Sequence, residues 1–474
     1  MKPAHATPVL AAFLLAGGVL ALSSCASPDT ATHPPATVAI PAVWLQGNAN
    51  HQALDVVALP MWWTRFNDPV LDELIATALR SSPDVVSALS RIAEYRARRG
   101  VERSALFPSL DANVSGGRTR TTNRDTDLAT TNESYSASLD ASWQVDLFGR
   151  QRLALDAASA DLVKTEENYY GAQVSLAADV AIAYVTLRSA EAQLVMVRRS
   201  LGTRGETVQL TRWREQAGTG DALETQQSVT ELEVANASIP ALQLSIAQTR
   251  NQLALLAGGT PGSLDPLLAA AHDVPGAPPD FAIGIPAEVL RQRPDVRAAE
   301  RGLEAAFART SAARRARLPA LNLSGSIGVE ALTAGRLFNP AATGVSILGG
   351  LTAPSFDAGR ISRTITIQRE LEHQAFNNYT STVLVALGEV ENALVAVQRN
   401  TERLAILARA TAAAREAAKL ASLQYQAGQV DLLVSLDSER ALLDLEQQTV
   451  ATAASRANAC VQLYQALGGG WTRL

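Results

Sequence analysis

Cysteine is almost absent: the 474 residues contain two, Cys25 and Cys460. Two thiols so far apart make neither a disulfide framework nor a metal site. Histidine is also scarce, at five, and of those beyond the predicted signal segment none of His33, His51, His272 and His373 stands in a ligand spacing such as H-E-x-x-H. No Gly-rich phosphate loop or Gly-x-Ser-x-Gly elbow occurs either, so no catalytic residue, metal or cofactor is expected and the chain does not read as an enzyme. Lysine is nearly missing, with only Lys2, Lys164 and Lys419 among 41 basic residues, and the formal net charge is -5. Without a basic cluster, nucleic acid is not an expected partner. Beyond the N-terminus no stretch reaches 18 uncharged apolar residues, which excludes a transmembrane helix. A chain of this kind crosses a bilayer only as a closed β-barrel.

What remains is 47% hydrophobic, poor in aromatics, and crowded with Ala, Leu, Gln and Glu, the composition of long helices and coiled coils. The N-terminus is a targeting segment, with a basic Lys2 and an apolar run from Val9 to Leu22 too short to span a bilayer. It ends in Leu22-Ser23-Ser24-Cys25, which resembles a lipobox, in which the Cys thiol is acylated and the chain is cut before it. Residues 1–24 are thus expected to be a signal peptide and 25–67 a lipidated tether. Ala26 follows the Cys, so the Asp that often holds such lipoproteins at the inner membrane is missing. Cys460, deep in a helical pattern, is expected to be a small buried apolar residue.

The chain repeats itself at a shift of about 210 residues. Ser82-Pro83-Asp84-Val85 returns as Arg293-Pro294-Asp295-Val296, and Phe107-Pro108-Ser109-Leu110 as Leu318-Pro319-Ala320-Leu321. Phe148-Gly149-Arg150 returns as Ala358-Gly359-Arg360, and Asn168-Tyr169 as Asn378-Tyr379. Ala217-Gly218 with Asp221 returns as Ala427-Gly428 with Asp431, and Ala257-Gly258 as Leu467-Gly468. The expected repeats are 68–258 and 285–468, joined by a Pro- and Gly-rich linker at 259–284 and followed by a tail at 469–474.

Each repeat opens with a predicted helix, Pro69 to about Ser104 or Pro286 to about Arg317. Two strands follow, alternating at period two. Leu110, Ala112 and Val114 share one face of the first, and Tyr135 through Val145 alternate in the second, with Arg118 to Glu133 as the loop between them. The second copy offers Leu321 to Val329 and a weaker segment near Val345 to Leu351. After Gly149-Arg150 the period changes. Leu176, Val180, Ala183, Leu187, Ala190, Leu194, Val197 and Leu201 form a heptad seam, echoed by Ala386, Val390, Ala393, Val397, Asn400, Leu404 and Leu407. Each such helix runs to an Ala-Gly turn, about 65 residues or about 100 Å. A second helix returns, and Pro240 is expected to kink or interrupt the first of these.

Four one-sided strands of about 10 residues suit a transmembrane barrel. Four cannot close one, since about 8 are needed. Several copies must therefore pool strands.

The sequence resembles the TolC-like outer-membrane efflux proteins, in particular their NodT-type lipoprotein branch. The resemblance rests on Ile285-Pro286 through Leu290, Arg293-Pro294-Asp295-Val296, Ala299-Glu300 and Pro319. It also rests on Ser142-Trp143-Gln144-Val145-Asp146-Leu147-Phe148-Gly149-Arg150, and on Trp63, Phe66-Asn67-Asp68-Pro69 and Leu71. It implies an α+β membrane channel: a homotrimer with a 12-stranded β-barrel in the outer membrane, continuous with a long α-helical coiled-coil barrel across the periplasm. The implied role is a passive exit duct for small molecules expelled by an inner-membrane pump, of the resistance-nodulation-division type, through a periplasmic adaptor (membrane fusion protein). The alternatives are a duct for type I protein secretion or metal export, or a coiled-coil lipoprotein without a pore.

The resemblance also implies that Ala217, Gly218, Asp221, Ala427, Gly428 and Asp431 form periplasmic tips where the adaptor docks. Asp437 matches a pore-lining acid near the tip, although Val434 stands where relatives carry a second one. Tyr425 and Glu224 match a pair that ties the closed gate in some relatives, and Val430 replaces a basic residue that assists it.

Overall fold

The computed structural model describes residues 39–45, 59–122, 129–270, 272–278, 286–337, 339 and 343–473. The signal peptide, Cys25 and residues 25–38 and 46–58 of the tether lie outside the described residues, while its 59–67 end packs Trp62 into the core.

The first repeat opens with α1 (Pro69–Ser81) and α2 (Pro83–Ser104), followed by β1 (Ser109–Thr122) and β2 (Ala129–Val145), and then by α3 (Arg150–Gln216) and α4 (Ala222–Leu256). A short α5 (Asp265–Leu268) lies in the linker. The second repeat contains α6 (Pro286–Gln292), α7 (Pro294–Arg315), β3 (Ala320–Ala331), β4 (Thr343–Thr352), α8 (Arg360–Gln426) and α9 (Leu432–Ala466). Asp68 caps α1, accepting from the Val70 and Leu71 amides at 2.9 and 3.2 Å, and its other oxygen accepts from the Tyr184 hydroxyl at 2.8 Å. A cap of this type stabilises by about 1 kcal/mol.

Three expectations need correction. The opening helix of each repeat is two helices, broken at Ser82 (ψ 127°) and Arg293 (ψ 122°). Each residue precedes a proline, whose ring excludes the helical region for its neighbour. The loop from Arg118 to Glu133 is mostly strand: pairing runs from Ser109↔Ser142 out to Thr122↔Ala129 and includes Arg118↔Glu133. Pro240 does not interrupt its helix, for α4 is continuous over 35 residues. Pro240 is exposed, so the carbonyl it leaves without a donor is free to meet water.

The strands form one antiparallel sheet in the order β1-β2-β3-β4. Direct partners share a face. Leu110↔Ala141, Leu139↔Ile327, Trp143↔Leu323 and Ile327↔Val345 lie on one side. The other side is polar: Ser109 and Ser142 hydroxyls meet at 2.8 Å, and the Asn113 amide donates to Asp140 at 2.7 Å. The apolar face is bare, with Leu110 69%, Val114 81% and Ile347 86% exposed. A soluble sheet would pack this face on its own helices. β1 and β4 are also left with unpaired edges.

The core lies farther down the helices. Trp62, Leu71, Leu74, Ile75, Tyr184, Cys460 and Leu463 are all but wholly buried, and Trp62 stacks on Tyr464 at 5.3 Å. Burial pushes the Cys460 thiol up to about 12, so it behaves as the inert apolar residue expected. The linker is pinned to this core. Leu268 is buried, and the wholly buried Arg188 donates to Glu191 at 2.6 Å and to the Ala270 carbonyl at 3.0 Å.

The same joint closes both repeats. The Ser81 hydroxyl donates to the Ala257 carbonyl at 2.9 Å, and the Arg293 guanidinium donates to that of Ala466 at 2.9 Å. In each case the helix break beside a proline satisfies a carbonyl at the end of the returning helix. Gly258 (φ +74°) and Gly468 (φ +76°) let the chains approach.

The heptad seam of α3 is buried from Leu176 to Val197, and Ala386, Val390, Ala393 and Leu407 are buried in α8. Both helices contain an 18-residue stretch of high mean hydropathy that still admits up to two charged residues, 61% buried within the chain in α3 but only 22% in α8.

Candidate functional site at the helix tips

The ends of α3 and α8 farthest from the sheet carry the two Ala-Gly turns. In the first, Gly218 adopts φ +71°, so its amide reaches the Glu215 carbonyl at 3.0 Å and Thr219 reaches Arg214 at 2.9 Å. In the second, Gly428 at φ +70° bonds Tyr425 at 3.0 Å, and Gln429 bonds Gln424 at 2.8 Å. Both are left-handed helix ends of the kind glycine favours. The returning helices start differently. Asp221 caps α4 through the Leu223 amide at 3.2 Å, whereas the Asp431 side chain makes no cap on α9.

The two tips meet in a small apolar cluster, where Tyr425, Leu432 and Leu436 are buried and Leu210 and Val430 pack against them. Val430 therefore fills the cluster. The cation comes from elsewhere: the Arg214 guanidinium lies over the Tyr425 ring, 4.8 Å from its centroid. Burial and then the nearby Glu224 carboxylate hold the Tyr425 hydroxyl above the usual tyrosine range, with Arg214 opposing them. Tyr425 and Glu224 are thus brought together, with Arg214 as the third member.

Asp437 belongs to a separate set. It is exposed and accepts from the Arg440 Nη1 at 2.8 Å. The other Arg440 nitrogen donates to Glu231 of α4. Glu231 also accepts from Arg204 of α3, at 2.7 Å through its carboxylate and at 2.8 Å through its carbonyl. The chain Arg204–Glu231–Arg440–Asp437 therefore ties three helices together just above the turns. Arg440 lowers the Glu231 carboxyl below the ordinary glutamate range against the cost of burial, with Arg204 assisting. Neighbouring Glu439 is pushed the other way by burial. The sequence carried no local signal for this network, since Glu231 and Arg440 stand 209 positions apart. Arg214 was closer to hand, four residues before Gly218.

Comparison with known proteins places this architecture. The model of the outer membrane efflux protein family matches twice, over residues 74–259 and 285–469. The chain belongs to the outer membrane efflux protein family. Curated members include the toluene efflux pump outer membrane protein TtgF of Pseudomonas putida, 31% identical over 468 residues, covering 96% of each chain. The antibiotic efflux pump outer membrane protein ArpC of Pseudomonas putida is 32% identical, covering 92% of this chain and 91% of its own. Among solved structures, the outer-membrane channel OprN superposes with a TM-score of 0.83 at 31% identity, over 89% of this chain and 97% of its own. The fold is that of the TolC-like channels, the protein is an outer-membrane efflux channel, and these relatives are channel and efflux proteins rather than enzymes.

Proposed function

We propose that three copies of this efflux channel form one duct: a 12-stranded barrel in the outer membrane above a helical barrel in the periplasm. The observation that carries this is the bare sheet. Its apolar face suits lipid, and its two free edges run antiparallel, so β4 of one copy can pair with β1 of the next all the way round. The less buried apolar stretch of α8 is the surface a neighbouring copy would cover. An inner-membrane pump, of the resistance-nodulation-division type, would load the duct through a periplasmic adaptor docked on the tips around Ala217, Gly218, Asp221, Ala427, Gly428 and Asp431. Solvents and antibiotics named for the relatives are the cargo class expected. Deleting the gene should raise sensitivity to dyes, detergents or antibiotics at least several-fold. Unchanged sensitivity with each candidate pump expressed would rule this reading out.

The tips form the gate in this reading. Tyr425, Glu224 and Arg214 hold the two turns together, and three Asp437 carboxylates form an acidic ring whose net charge Arg440 moderates. Asp437→Asn is then expected to weaken block by multivalent cations added on the periplasmic side of a planar bilayer. Block of unchanged strength would remove Asp437 from the aperture.

Cys25 would carry the lipid that holds the N-terminus at the membrane, each buried methylene stabilising attachment by about 0.8 kcal/mol. Cys25→Ser should abolish incorporation of labelled palmitate, and persistent labelling would refute the assignment.

A further inference from the structure

A cavity of about 830 Å³ lies where the ends of α2 and α7 meet the beginnings of α3 and α8, close under the sheet. Its lining carries four guanidiniums, Arg98, Arg150, Arg309 and Arg360, against the two carboxylates Glu102 and Asp161. Two of the four are already engaged. Arg309 pairs with Asp161, and Arg98 pairs with Glu94 of its own helix at 2.7 Å. The guanidinium groups of Arg150 and Arg360 make no close ion pair or hydrogen bond among the described residues.

These two open the 67-residue helices α3 and α8, and they occupy equivalent positions in the two repeats. A cation there faces the positive end of the helix dipole, which disfavours it. Asp146 and Asp357 lie beside them in sequence without a close ion pair; the Arg360 charge is felt by Asp357, while carboxylate oxygens of both residues accept from backbone amides. Asp146 accepts from Arg152 at 3.0 Å, and Asp357 accepts from Gly359 at 3.0 Å and Ile361 at 2.8 Å. The remaining walls combine alanine methyls, most of them from α3 and α7, and Ile361 with the polar side chains of Gln144, Gln151, Thr364 and Gln368. The cavity therefore joins an excess of lining arginines over carboxylates to a strip of alanine methyls.

We infer that this cavity binds a phosphate-bearing amphiphile, the phosphate held between Arg150 and Arg360 and a short length of acyl chain against the alanines. Arg150 and Arg360 are exposed at the mouth of the cavity, where an incoming ligand can reach them, and guanidinium groups recognise phosphate through two parallel hydrogen bonds each. The position supplies the ligand. In the outer-membrane reading of the sheet, on which the lipid source rests, the cavity sits at the level of the periplasmic headgroups. The shared chemistry is a phosphate group, from a lipid or from free phosphate.

The test is calorimetric titration of the full-length protein in dodecyl maltoside at low salt with lysophosphatidic acid, with monoacylglycerol of the same chain length, and with inorganic phosphate. Saturable binding of lysophosphatidic acid but not of monoacylglycerol is expected, weakened about tenfold or more in R150Q/R360Q. Inorganic phosphate binding as tightly would support the site with the free anion as its source. R150K/R360K, which keeps the charge, should retain most of the binding and covers the case in which the glutamine pair fails to fold. Equal binding by R150Q/R360Q, an equal loss in the nearby R363Q, or no saturable binding of either phosphate compound would overturn the inference. Channel conductance is read in the same samples, so loss of the site and loss of the duct are distinguished.

Discussion

Gly258→Ala is expected to be among the most destabilising single-methyl additions in this protein. A Cβ built at Gly258 would stand 2.3 Å from the Ser81 carbonyl oxygen, and the backbone there adopts φ +74°. The left-handed conformation costs an alanine about 1–2 kcal/mol, and overpacking against a fixed carbonyl adds about 1–3 kcal/mol. The same joint holds the Ser81 hydroxyl on the Ala257 carbonyl, so the strain falls where the helix break meets the returning helix. Two further alanines separate these terms. Gly218 has φ +71° but open space around its Cβ, and Gly276 has open space and no positive φ. Thermal unfolding in detergent should rank the losses Gly258→Ala, Gly218→Ala, Gly276→Ala in decreasing order. A Gly258→Ala protein melting with wild type would show that the joint yields without cost.

The second large effect is expected at Glu231. Removing its carboxylate takes from Arg204, only 5% exposed, its direct ion-pair partner, and takes from Arg440 its bond across to α4. Arg204 is left the Ser200 hydroxyl, the residue 231 carbonyl and the field of Glu439. Breaking one side of a buried pair typically costs about 3–5 kcal/mol, and the acceptors and the Glu439 charge left to Arg204 place this case toward the lower end. Here the loss is local to the tips. Glu231→Ala is therefore expected to raise resting conductance in planar bilayers and to sensitise cells to large antibiotics that the closed channel excludes. Replacing Arg204 and Glu231 together by leucine should restore much of the stability, since Arg204 is then no longer a buried cation lacking its ion-pair partner and Glu439, already raised by burial, can take up a proton. A silent Glu231→Ala would show that the network does not latch the tips.

The pH dependence has a definite sign. Because pairing lowers the Glu231 carboxyl, its contribution is fully present above the unfolded glutamate value of about 4.3. It is lost only as the pH falls through the lowered folded value. The raised Glu439 acts oppositely, favouring the folded tip most at low pH and losing that contribution as the pH rises through its raised value. Glu231 alone thus predicts tips that remain tied at mildly acidic pH and loosen only below the ordinary glutamate range.

The architecture was legible where chemistry repeats at short range. Heptad spacing marked α3 and α8, period-two alternation marked the apolar parts of the strands, and Gly218 and Gly428 marked the turns. The errors have local causes. The apolar helical period runs straight through Pro83 and Pro294, hiding breaks that the residue before each proline should have announced. Arg118 to Thr122 and Ala129 to Glu133 are polar on both faces, so their pairing leaves no alternation to detect. At the tips, Tyr425 and Glu224 could be named from resemblance. The tie from Arg204 through Glu231 to Arg440 depends on three helices packing together, which no spacing records.

The free edges of the sheet and the thinly covered stretch of α8 have a genetic consequence in the three-copy reading. A surface that only other copies can cover makes folding and assembly one mass-action event, so refolding yield should climb steeply with chain concentration. In a threefold ring, cells making equal amounts of sound and defective chains would hold only about one in eight wholly sound channels. Tip variants that still assemble should therefore be dominant over a normal copy of the gene, whereas variants that never join the ring should be recessive.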